Sequence, residues 1–171
     1  MVCLRCLKFG GGKLFQVGDC IVYPMQGAGV IEAIELKEIQ GKKQPYYIIN
    51  LHINKMQVMI PIAKIDKLRV RLVTDIISLE NVLDIFHHEQ TDSSLSMKER
   101  FKINTEKLKT GNILEGAQVV RDLMRINKIK SLNSSEKQML ESARKILISE
   151  LCLIRGISEI QAMDLLQNKI G

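Results

Sequence analysis

The spacing of apolar residues changes once along this chain, close to residue 74. Before that point apolar and β-branched residues come in short, alternating runs, the period of a strand with one buried face. After it they recur every three to four positions, the period of an amphipathic helix. In the first part, Ile21 and Val22 stand in a short run closed by Pro24, which predicts a strand over 20–24. Gly27 and Gly29 let the backbone turn, and Gly29 fits a bulge or a close approach of two backbones. Residues 30–39 alternate imperfectly (Val30, Ile31, Ile34, Ile39) and predict a second strand. The polar stretch 40–44, with Gly41 available for a positive φ, predicts a hairpin connection. Residues 45–51 carry the strongest strand signal, and 57–61 the next. A single turn over 62–68 and a closing strand over 69–73 complete the set. Five short hairpin-linked strands cannot bury both faces of an open sheet, so the economical arrangement is a small curled barrel of SH3 or Tudor type.

The second part predicts five helices. The first covers 75–87 with Ile76, Leu79, Leu83 and Phe86 inward, and the second 96–110 with Phe101, Ile103 and Leu108, stopped by Gly111. The third covers 113–129 on a stripe of Ala117, Val120, Leu123 and Met124. The fourth opens on Asn133 and Glu136, a variant capping box, buries Met139, Leu140, Ala143, Ile146, Leu147 and Leu151, and stops at Gly156. Ser158 caps a fifth that runs to 170 and turns Ile160, Met163, Leu165 and Leu166 inward. The acidic, polar stretch 89–94 reads as a flexible loop. The expected class is therefore α+β: a Tudor-like β-barrel over 14–73 and a compact helical domain over 75–171. Residues 1–13, ending in three glycines, read as a flexible leader.

Composition narrows the function. No window holds the roughly 18 consecutive apolar residues of a membrane span, and the first residues make a poor signal peptide, so a cytoplasmic, membrane-free protein is expected. The net charge of +6 is modest, but its distribution is uneven. Residues 75–97 hold five acids and no base, whereas 98–130 hold nine bases against four acids. That local excess suits phosphate contacts rather than tight non-specific wrapping, and a solvated helical face is the plain alternative. Cys3 and Cys6 form one C-x₂-C pair without the second that a structural zinc site needs, and Cys20 and Cys152 are isolated, so no metal or other cofactor is expected. His52, His87 and His88 are not spaced to serve a nucleophile, and Glu35 and Glu38 fall on a hairpin where solvation explains them; catalysis is not expected. Met97 differs from the other methionines in standing at a helix start among polar residues.

The run Phe15-Gln-Val-Gly-Asp, then Ile21-Val-Tyr-Pro24 and Gly27-Ala-Gly-Val-Ile-Glu-Ala-Ile34, resembles the N-terminal domain of the CarD/CdnL family. A related module occurs in the transcription-repair coupling factor. The helical half resembles CarD as well, through Arg100-Phe-Lys-x-Asn104, Val119-Val-Arg-Asp-Leu123 and Ser135-Glu-Lys-x-Met-Leu140. It excludes the coupling factor, which continues as a helicase. The likeness spans about 14–153. It implies a bacterial transcription regulator whose Tudor-like domain docks on the RNA polymerase β subunit. Its helical domain would contact promoter DNA in the minor groove at the upstream edge of the bubble and so stabilise the open complex. A protein-interaction adaptor without DNA contact is the alternative, and the resemblance leaves both a monomer and a domain-swapped dimer open.

Family members insert a tryptophan wedge between bases. This chain has no Trp, and Met97 occupies the wedge position. Methionine is an apolar wedge without the flat ring or indole N–H, so a weaker wedge is expected. A basic residue on the family's polymerase-facing strand falls at Met59. Its companion is Lys37, and Ile39 completes the implied polymerase-binding set. The implied DNA-binding set is Met97, Arg100, Lys102 and Lys137, with one basic neighbour replaced by Glu99.

Overall fold

A computed structural model describes residues 15–53, 55–92 and 94–169. The leader expected over 1–13, with Cys3 and Cys6, lies outside the described residues. Five strands come first: β1 (Cys20–Tyr23), β2 (Gly27–Ile39), β3 (Lys42–Leu51), β4 (Gln57–Pro61) and β5 (Arg71–Leu72). They form one antiparallel sheet in the order β4-β3-β2-β1-β5. Five helices follow: α1 (Ile76–His88), α2 (Met97–Thr110), α3 (Ile113–Ile129), α4 (Ser134–Arg155) and α5 (Glu159–Lys169).

The imperfect alternation of β2 has a structural cause. The β2–β3 register shifts between Ile31 and Ala33, so Glu32 is an extra residue. Ile31 and Ile34, three apart in sequence, therefore both serve the sheet's core with Phe15, Ile21, Tyr47, Ile49 and Ile60. Gly29 marks the close approach: a Cβ there would lie 2.4 Å from the Asn50 carbonyl oxygen. The hairpin between β2 and β3 is tighter than 40–44. Pairing continues to Ile39 and Lys42, leaving only Gln40 and Gly41, with φ of 52° and 72°. The closing strand is shorter than 69–73, because Arg69 sits at a φ of 54°.

The helical core gathers Leu79, Leu83 and Phe86 of α1, Val120 and Leu123 of α3, Leu147 and Leu151 of α4 and Leu166 of α5. Five residues expected to face it lie at its rim. Ile76, Ile160 and Met163 are exposed, and α2 turns Asn104 and Leu108 inward while Phe101 and Ile103 lie at the surface. α2 packs on α3 along a narrow face, so one turn-spaced pair suffices. Within the stretch expected as a flexible loop, Glu89 and Thr91 are held by α3. Arg121 of α3, almost fully buried, reaches Glu89 at 2.6 Å and Asp122 at 2.8 Å. Thr91 donates to Asp122 at 2.7 Å, and Arg125 donates to the carbonyls of Glu89 and His87 at 2.5 and 2.9 Å.

Sheet and helices are joined by one row of the sheet. Val22 pairs with Ala28 on one side and Arg71 on the other, and these positions point away from the sheet's own core. The Ala28 N–H donates to Ser149 Oγ of α4 at 2.8 Å. Arg71 grips Glu150 of α4 through two hydrogen bonds of 2.7 and 2.8 Å and donates to the Gly111 carbonyl at 2.6 Å. Gly111, at a φ of 71°, ends α2 where a Cβ would meet Pro24 at 2.8 Å. Its lack of a side chain thus serves both the helix end and the contact between the two halves.

Candidate functional site

The sequence-derived positions fall on two separate surfaces. On the sheet, pairing of Met59 with Ile48 and of Ile48 with Ala33 puts these three on the face opposite the core. Glu35, Lys37 and Ile39 follow Ala33 at alternate positions and share that face. The structure therefore brings Lys37, Ile39 and Met59 to one side of the sheet. Met59 is 51% exposed and stands on β4, an edge strand whose outer side pairs with no other strand among the described residues. At one end of the face Glu32 accepts from Asn50 and Gln57 at 2.9 Å each and so ties β2, β3 and β4. Lys37 pairs with Glu35 at 2.6 Å, both well exposed, so the face is more apolar than its lysine suggests.

The second surface is built where α2 and α4 begin. Ser96 caps α2: its hydroxyl accepts from the Glu99 N–H, and the Glu99 carboxylate accepts from the Ser96 N–H at 3.1 Å. The Ser96 hydroxyl, which also donates to that carboxylate at 2.5 Å, and the Ser96 N–H together hold the Glu99 carboxyl below its usual range. Asn133 and Glu136 cap α4 in the same manner. Arg100 fastens the two starts together. Its Nε donates to Glu136 at 2.9 Å and its Nη1 to the Leu95 carbonyl at 3.3 Å, with its side chain only 13% exposed and that of Glu136 2% exposed. Met97, by contrast, is 48% exposed, with its sulfur accepting from the Asn133 amide. Two rigid caps and a buried ion pair thus hold an apolar side chain out at a helix start.

The four expected DNA-binding residues are not equivalent in this geometry. Lys137 is exposed, one position beyond Glu136 on α4. Lys102 lies apart, in an open groove on α2 that it lines with Glu99, Glu106 and Arg69. Arg100 is committed to Glu136 rather than presented to solvent. The phosphate contact expected of Arg100 came from the family resemblance; its pairing with Glu136, 36 positions away, is visible only in the fold. Sequence reasoning also passed over Ile129 and Lys130, which lie against Met97's groove at the end of α3. Among the described residues no three His, Cys, Asp or Glu side chains group as a metal site, and no helix is long and apolar enough to cross a membrane.

An antiparallel Tudor-like sheet locked to a bundle of five helices defines a two-part α+β protein. The comparisons with known proteins specify it further. Residues 15–73 match the family model described as the CarD-like/TRCF RID domain, and residues 81–167 match the CarD C-terminal domain. The chain is also 57% identical over 148 residues to the Bacillus subtilis (strain 168) protein named "Putative transcription factor YdeB", covering 86% of this chain and 97% of that one. The chain belongs to the CarD family of transcription factors.

Proposed function

We propose that this protein binds the RNA polymerase β subunit through residues 14–73 and promoter DNA through residues 75–171, stabilising the open complex in the cytoplasm without catalysis of its own. The observation that carries this reading is Met97: an apolar side chain held half-exposed at a doubly capped helix start, next to the stretch 98–130 with its excess of bases. An apolar wedge binds an unstacked base step better than an intact duplex, so it shifts the closed–open equilibrium by its differential affinity for the two. Lys37, Ile39 and Met59 supply the polymerase-facing surface, with the open edge of β4 available for strand pairing. Lys102 and Lys137 supply phosphate contacts, and Arg100 serves as the residue that positions Met97.

The test is the lifetime of a promoter open complex formed by the cognate polymerase, with and without the protein. The expected result is a longer lifetime. Retained polymerase binding with no change in lifetime would instead support an adaptor that makes no DNA contact.

A further inference from the structure

The helical half carries a further exposed surface, remote from Met97. α1 and α5 pack against each other, and each turns an apolar and acidic side outward. Ile77, Glu80 and Asp84 recur at helical spacing on α1, as do Ile160, Met163 and Asp164 on α5. Ile77 and Ile160 are each 72% exposed. α4 sets the distance of this surface from Met97. Asn133, the cap of α4, donates to the Met97 sulfur, whereas Arg155 in its last turn pairs with Glu80. The 22 residues of α4 therefore place about 33 Å between the two. No base occurs over 75–97 or over 159–168, in a chain whose net charge is +6.

We propose that residues 1–9 of this chain dock on the outer side of α1 and α5, with Arg5 and Lys8 against the acids and Leu4, Leu7 and Phe9 over the isoleucines. Charge complementarity selects this occupant. Residues 1–13 hold three bases, Arg5, Lys8 and Lys13, and no acid, among apolar side chains. A second copy paired through the same face would set acid against acid, because a two-fold interface is self-complementary. The reach also fits. Phe15 is anchored in the sheet by its N–H, which donates to the Tyr47 hydroxyl at 3.0 Å. The Asp19 N–H donates to the Gln16 carbonyl at 3.1 Å and the Val73 N–H to the Cys20 carbonyl at 3.0 Å. The leader thus joins the fold one tight turn away from the residues that lead into α1. Residues 10–14 span up to about 17 Å from there. So short a tether gives the leader a roughly millimolar effective concentration at the surface, and weak contacts then suffice. Docked in this way, the leader straps the sheet to the end of the helical bundle opposite Met97.

Amide NMR spectra of the full-length chain test the strap. Reversing two leader charges together, Arg5→Glu with Lys8→Glu, should shift the signals of 76–85 and 159–164. Raising the salt to about 1 M, where the screening length falls to about 3 Å, should move them the same way. Ile77→Ser with Ile160→Ser, at sites exposed in the fold, should in turn shift the signals of residues 2–9. Adding Asp84→Lys and Asp164→Lys to the charge-reversed leader should return its signals towards their parent positions. Unchanged α1 and α5 signals in the charge-reversed leader overturn the proposal. Shifts that vanish on dilution overturn it in favour of a leader docked on a second copy. A charge-reversed leader without effect, together with weaker polymerase capture by Ile77→Ser with Ile160→Ser, overturns it in favour of a partner protein at this surface.

Discussion

Met97 and Arg100 lie three residues apart on α2, and burial separates their roles. Met97 has about half of its surface free to be covered by a partner, and covering it is worth roughly 1 kcal/mol. Met97→Ala is therefore expected to shorten the open-complex lifetime by roughly threefold to tenfold while leaving polymerase affinity unchanged. Met97→Trp should lengthen it, because a larger flat ring covers an unstacked step better. Both follow from measuring dissociation of the open complex after challenge with a competitor. Arg100 is expected to behave as a structural residue. Its removal leaves the Glu136 carboxylate buried without a charge partner, and breaking such a pair costs about 3 kcal/mol. Thermal melting of Arg100→Ala should show that loss. A full melting temperature together with a smaller salt dependence of DNA binding would show that Arg100 reaches phosphate instead.

At the scale of elements, the segment between α1 and α2 leads into the helix start that carries Met97. Residues 89–94 are acidic and polar, a composition shared by mobile loops, yet α3 holds Glu89 through Arg121 and Arg125 and Thr91 through Asp122. Burial alone would weaken the charge on Arg121, but its hydrogen bonds to Glu89 and Asp122 outweigh that and raise its pKa. The Arg121 hydrogen bond in turn holds the Glu89 carboxyl below its usual range. A carboxylate depressed in the folded state contributes stability above its unfolded pKa and loses it as pH falls through the folded one. The clamp should thus be complete above about pH 4.5 and loosen in stronger acid. Backbone amide signals of residues 90–95 should report this in an NMR titration, and Arg121→Met should abolish the transition. On the basic faces of α2 and α4, Lys102→Gln and Lys137→Gln should each reduce the log–log salt slope of duplex binding by about 0.9, alike for all sequences.

At the scale of the whole molecule, the two interaction surfaces work together only if their relative placement is fixed. The two-pronged Arg71–Glu150 contact, the Thr74 N–H donated to Glu150 at 3.1 Å, and the Ala28–Ser149 hydrogen bond fix it. Glu150 is buried, so Arg71→Ala should destabilise the protein by about 3 kcal/mol. It should also separate two activities that the parent protein couples: polymerase capture retained, open-complex stabilisation lost. Met59→Glu is the complementary case. It places a charge on the outer sheet face beside the open edge of β4, far from the helical core. It should abolish polymerase capture without lowering the melting temperature.

The sequence by itself determined the α+β class, the five strands and five helices with their order, and most element boundaries. These are set by local physics: Pro24 ending a strand, Gly111 and Gly156 ending helices, Ser96 and Asn133 opening them, and a period that changes once. It also determined the family, because the motifs that carry the likeness are contiguous. Tertiary structure alone decided the bulge at Glu32, the clamp on Glu89 and Thr91, the outward turn of Phe101 and Ile103, and the separation of Arg100 from Lys102 and Lys137. Each depends on a partner distant in sequence: Asn50 and Gln57 for Glu32, Arg121 for Glu89, Glu136 for Arg100. Whether a charge faces solvent or a buried counter-charge is a property of the packed neighbours. Periodicity along the chain carries no information about those neighbours, and for that reason Ile129 and Met97 come to line one groove only in the folded molecule.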